Sequence, residues 1–319
     1  MIDIILAFLP LIIIAVAANF GEKSRTERKI TYALLAGFCG IIAFTGILLF
    51  IFEVLFGLTD TGMNLIIMGA GMFLTGIFSL IPLLPGSRII IAKFIPINPD
   101  SVVHAAGLIL AFVLIGLSFT MMLSTDLAAL FENTPGELKM TEADILLQDS
   151  LFILIAFIGI GIFIRRNVKD CIKKLDLTTP PAKQVITGII LVPLFLAFGT
   201  AFEFTIAQFY PDSVANAGKI MELLLGEPTL LLAITASICA GVSEEILFRG
   251  AIQPKFGIPF TAFLFAVVHI QYSAIWALVE LFIIGIFLGI LKQKTNTTTC
   301  IITHTGYDFI VFVSFMYFV

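Results

Sequence analysis

Residues 230–252 read LLLAITASICAGVSEEILFRGAI, and this stretch decides the fold. It is an apolar run long enough to cross a bilayer as a helix, at 1.5 Å of rise per residue. Inside it stand Ser243, Glu244, Glu245 and Arg249. An ionisable side chain at membrane depth costs about 3 kcal/mol or more, so such groups mark pairing or chemistry. Glu245 and Arg249 are four residues apart, share a helix face and can pair. Glu244 points about 100° away, onto another face. With no partner in its own segment, it suits a general acid or base.

The rest of the chain has the same character. Of 319 residues, 59% are hydrophobic and 13% charged, and the mean hydropathy is +1.10. A soluble domain carries about 25% charged residues. The fold class is therefore all-α, a polytopic transmembrane helical bundle of about ten helices. Apolar segments run over roughly 2–20, 30–58, 63–86, 102–124, 145–164, 184–209, 230–252, 258–272, 273–291 and 297–319. The first lacks a preceding Lys or Arg and is expected to be a retained helix, not a cleaved signal. Gly285 and Gly289 are expected to let helices approach closely.

The loops give an orientation. Taking alternate connections, one set holds sixteen of the 18 Lys and Arg residues, and the other only Lys139 and Lys219. The positive-inside rule places the first set in the cytoplasm and both termini on the opposite side. The loop at 125–144 is acidic, with Asp126, Glu132, Glu137, Glu142 and Asp144, and reads as solvated. The basic stretch from Arg165 to Lys174, followed by Thr178-Thr179-Pro180-Pro181, divides residues 1–183 from 184–319. The four cysteines, Cys39, Cys171, Cys239 and Cys300, show no C-x-x-C spacing and read as free thiols. No basic patch with interleaved aromatics is present, which sets nucleic acid aside.

Two further stretches carry chemistry. His269 ends Phe265-Ala266-Val267-Val268-His269, and His304 and Asp308 are four apart on one face. Helical rise places Glu244 and His304 roughly 12 Å inside the cytoplasmic boundary and His269 roughly 17 Å. Structural readings exist for each: an ion-pair cluster, a satisfied core histidine, a helix–helix hydrogen-bond pair. Their convergence at one depth from separate segments points instead to a shared polar cavity. Glu53, Glu203, Glu280 and His104 are expected to make interhelical polar contacts.

The order Glu244-Glu245-x-x-x-Arg249-Gly250, Phe265-x-x-x-His269, His304-x-x-x-Asp308 resembles the CAAX protease and bacteriocin-processing family. It is also called the Abi or type II CAAX prenyl endopeptidase family. The resemblance covers about 184–319, a protease-like core, and leaves 1–183 as transmembrane helices of unassigned role. It implies a glutamate-type intramembrane endopeptidase in which Glu244 and His269 activate a water. It implies oxyanion contacts from His304 and Asp308, with Glu245 and Arg249 supporting the site. Asp308 stands where Asn is common. An ionised Asp repels an oxyanion, so orienting His304 is the role expected of it here.

No cofactor is expected, and the partners are a membrane-associated peptide or protein substrate, lipidated or not, and the bilayer itself. Two other readings use the same residues: a zinc metalloprotease, although no H-E-x-x-H is present, or a non-catalytic transporter or scaffold.

Overall fold

The computed structural model describes residues 1–57, 62–127, 129–130, 139–226, 229–270 and 274–318. These are overwhelmingly helical. Helix α1 spans Ile2–Gly21 and α2 spans Arg25–Phe56. Ser24 caps α2 by accepting from the Glu27 N–H, and Gly57 ends it at φ 57, a left-handed conformation that glycine adopts at little cost. Helix α3 spans Leu65–Phe78, followed by a 3₁₀ turn at Ile81–Leu83 and α4 at Pro85–Ile91. Helix α5 covers Val102–Ser124, α6 Glu142–Gly159, α7 Val168–Lys174, α8 Ala182–Phe209 and α9 Pro211–Leu225. Helix α10 covers Leu230–Glu244 and continues as a π-helical segment, Glu245–Ile252, into the short α11, Gln253–Phe256. Helices α12 (Ile258–Val267), α13 (Ile275–Lys294) and α14 (Thr297–Phe318) complete the chain.

Among the described residues, eight helical stretches are long and apolar enough to cross a membrane. With α6 and α12 they account for the ten expected segments, so the protein is an integral polytopic membrane protein. Several boundaries differ from expectation. Pro82 and Pro85 stop α3 early and break the segment expected over 63–86 into three pieces. The stretch 210–229, expected as a loop, contains the 15-residue α9, which opens on Pro211. A proline at the first helical position loses no hydrogen bond there.

The acidic connection at 125–144 is partly capping in function. Asp126 accepts from the Ala129 N–H at 3.1 Å. Thr141 and Asp144 form a capping box at the start of α6. Glu132 and Glu137 lie outside the described residues.

The segment expected over 258–272 is not a continuous span. Helix α12 has 10 residues, about 15 Å of rise, and ends just before His269. It packs antiparallel to α13, with Gly285 opposite Ala262 and Gly289 opposite Ile258. Both glycines make the expected close approach. By that register α12 stops beside Glu280, more than a turn into α13. Non-helical backbone at membrane depth is tolerated only where protein buries it or a wet cavity adjoins it.

Small residues set the packing elsewhere. Gly46 of α2 and Gly69 of α3 face each other so closely that a Cβ on either would strike backbone of the other helix. The N-terminal helices also reach the C-terminal ones: α6 packs on α10 and the π segment, and α5 on α12.

Candidate active site

The site is built where α10 changes to π geometry. A π turn widens the helix with i→i+5 hydrogen bonds and is frequent at functional positions. Here it starts at Glu245 and contains Arg249. The pairing expected across four residues is present, with Arg249 Nε 3.2 Å from Glu245 Oε2. Both residues are almost wholly buried.

Glu245 has a second partner. Its Oε1 accepts from His304 Nδ1 at 2.8 Å, which ties the π segment to α14. The other ring nitrogen of His304 lies 3.3 Å from Asp308 Oδ2. His304 thus sits between two carboxyl groups, one from its own helix and one from across the bundle. Helix α14 is set in place from its start: Asn296 accepts from the Thr299 N–H at 2.8 Å and donates to Gln184 at 2.8 Å. Thr297 donates to the Leu175 carbonyl at 2.7 Å.

Glu244 points the other way, toward α12. Its Oε2 lies 3.7 Å from His269 Nε2 and makes no direct hydrogen bond among the described residues. His269 Nδ1 is 2.8 Å from the Phe265 carbonyl oxygen. A carbonyl only accepts, so Nδ1 carries the proton, and in the neutral ring Nε2 offers its lone pair toward Glu244. The gap of 3.7 Å is one that a bridging water spans.

Phe265 is the floor of this arrangement. Its ring centre lies 4.9 Å from that of His269, 5.7 Å from that of His304 and 4.2 Å from the Arg249 guanidinium carbon. The cation over the ring face offsets part of the cost of burying Arg249. Its Nη1 and Nη2 make no hydrogen bond among the described residues.

All six expected site residues, Glu244, Glu245, Arg249, His269, His304 and Asp308, therefore meet in one place. Among the described residues no three His, Cys, Asp or Glu side chains are arranged to hold a metal ion.

Two partners were missed by the sequence reading. The Ser243 hydroxyl donates to Asp149 Oδ1, both buried. Asp149 was overlooked because its segment opens with three acids, Glu142, Asp144 and Asp149, and resembles the acidic loop before it. Phe265, quoted only as part of a motif, proves to contact three site residues. His104, expected between helices, instead accepts from the Asn98 N–H at 2.8 Å in the turn before α5. Glu280 lies against Gly199 of α8, as an interhelical contact should.

Residues 226–310 match the family described as Type II CAAX prenyl endopeptidase Rce1-like. Over this region the chain is similar to the CAAX protease family. The match takes in all six residues of the site and none of α1–α9. At family level the match supports a CAAX-protease-like intramembrane peptidase. A curated relative of the chain, described as "Uncharacterized protein YpbD" from Bacillus subtilis (strain 168), is 24% identical over 148 residues. That alignment covers 46% of this chain and 75% of the relative. No solved structure matches the chain.

Proposed function

We propose that this protein is a CAAX-protease-like endopeptidase that hydrolyses a peptide bond with a water held between Glu244 and His269. The observation that carries the reading is the 3.7 Å separation of Glu244 Oε2 and His269 Nε2, with the far side of the imidazole tied to the Phe265 carbonyl. Two proton acceptors then face one water. Glu244 takes its proton while the oxygen attacks the peptide carbonyl, and the same carboxylic acid later gives the proton to the departing amine.

Charge developing on the carbonyl oxygen needs a donor. The Nε2 side of His304 serves, because its 3.3 Å contact with Asp308 is looser than the 2.8 Å bond at Nδ1. Asp308 orients the ring. Glu245 and Arg249 keep the π segment and α14 in register. The substrate is a membrane-associated peptide or protein segment, lipidated or not, that enters from the cytoplasmic side. Both chain ends lie on the opposite side under the positive-inside orientation.

Purified protein reconstituted in lipid vesicles and offered a library of membrane-anchored peptides tests this. Wild type cleaves, and Glu244→Gln loses about 10²–10⁴-fold in rate while unfolding at an unchanged temperature. Strong chelators leave wild-type cleavage unaffected. Full activity in Glu244→Gln contradicts the assignment, and loss of activity on chelation favours the zinc reading.

A further inference from the structure

The region outside the family match supplies one more carboxyl group to the site. Asp149 sits on α6, 77 residues before the matched stretch begins at 226, yet its side chain is only 6% exposed. It accepts the hydroxyl of Ser243, itself wholly buried and the residue immediately before Glu244. Its carboxyl group also lies within electrostatic range of Glu244, His304 and Asp308.

A buried carboxylate among other acids is costly unless it is used. Packing gives no reason for it, since α6 meets α10 and the π segment elsewhere through apolar side chains such as Ala156, Ile160 and Ile246. What the contact does is local. Ser243 is held by α6 at the last full α-helical turn before the π segment. The backbone direction of Glu244 is thereby fixed where the helix is about to widen.

We propose that Asp149 is a positioning residue of the peptidase centre: by accepting the Ser243 hydroxyl it holds the end of α10 so that Glu244 faces His269. This rests on the peptidase reading above and extends it, since it gives the N-terminal helices a part in the reaction. No contact of Asp149 with substrate is required.

The test compares kcat and KM for wild type, Asp149→Ala, Asp149→Asn, Ser243→Ala and the Asp149→Ala/Ser243→Ala double variant, in vesicles. Asp149→Ala lowers kcat by about 10–100-fold and leaves KM within about twofold. Asn keeps an oxygen that accepts the hydroxyl, so Asp149→Asn stays within about threefold of wild type. Ser243→Ala matches Asp149→Ala, and the double variant is no worse than either single one.

Three results overturn the proposal: a folded Asp149→Ala with wild-type kcat, an Asp149→Asn as impaired as Asp149→Ala, or additive losses in the double variant. Should Asp149→Ala fail to fold, the Asp149→Asn rate and the Ser243→Ala loss decide alone. A wild-type protein that cleaves nothing removes the peptidase reading itself, which separates that failure from this one.

Discussion

Glu245 binds two partners through its two oxygens: Oε1 stands 2.8 Å from His304 Nδ1 and Oε2 stands 3.2 Å from Arg249 Nε. One buried acid therefore couples the π segment to α14. Removing one member of a buried charge group leaves the others uncompensated, at about 3–5 kcal/mol. Arg249→Met is expected to lower the unfolding temperature sharply in detergent. The Glu245→Gln/Arg249→Met pair is expected to recover most of that loss while staying inactive. Arg249→Lys is not conservative, because an ammonium lacks the planar face that lies on Phe265. Thermal unfolding of the three variants checks the order.

The two helices that Glu245 joins meet at Gly241. A Cβ there would lie 2.8 Å from the backbone nitrogen of Thr305, the residue after His304. Gly241→Leu forces α14 outward and carries His304 away from Glu245. Displacement of a catalytic group by about 1 Å costs about 10²-fold in rate. The expected outcome is a folded, poorly active protein, read from kcat beside the unfolding temperature. Wild-type kcat in Gly241→Leu contradicts the described helix approach.

A third prediction concerns the loop side of the N-terminal helices. Burial works to raise the pKa of Glu22, but hydrogen bonds from Ser101 and the Val103 N–H, with Arg165 and Arg28 nearby, hold it below its ordinary 4.5. The Ser101 hydroxyl is 2.5 Å away and the Val103 nitrogen 3.1 Å, so Glu22 caps α5. A depressed carboxyl stabilises the fold above its unfolded value and loses that contribution as pH falls through the folded one. Glu22→Ala is expected to be about 1 kcal/mol less stable than wild type near neutral pH. The difference should shrink as pH drops below 4.5. Unfolding measured from about pH 7 to about pH 3 reads it.

Much of this arrangement is legible in the residues. The apolar runs give the spans, and the polar residues inside them give the site, because lipid offers no other reason for their presence. The i, i+4 pairs Glu245–Arg249 and His304–Asp308 follow from helix geometry, and both are close in space. What the sequence conceals are features that depend on neighbours. The π segment leaves no periodic signature over 8 residues. The end of α12 before His269 is decided by the site around it, since Val267, Val268 and their neighbours are as apolar as any span. Asp149 gains its meaning only from Ser243, 94 residues away along the chain.

The central claim is that a water, activated between Glu244 and His269, attacks the peptide carbonyl. Single-turnover cleavage in ¹⁸O-labelled water, with mass spectrometry of both product and enzyme, tests it most directly. The account predicts one ¹⁸O atom in the new carboxylate of the product and none in Glu244. Label in the Glu244 carboxyl group, or a product that acquires none, contradicts it.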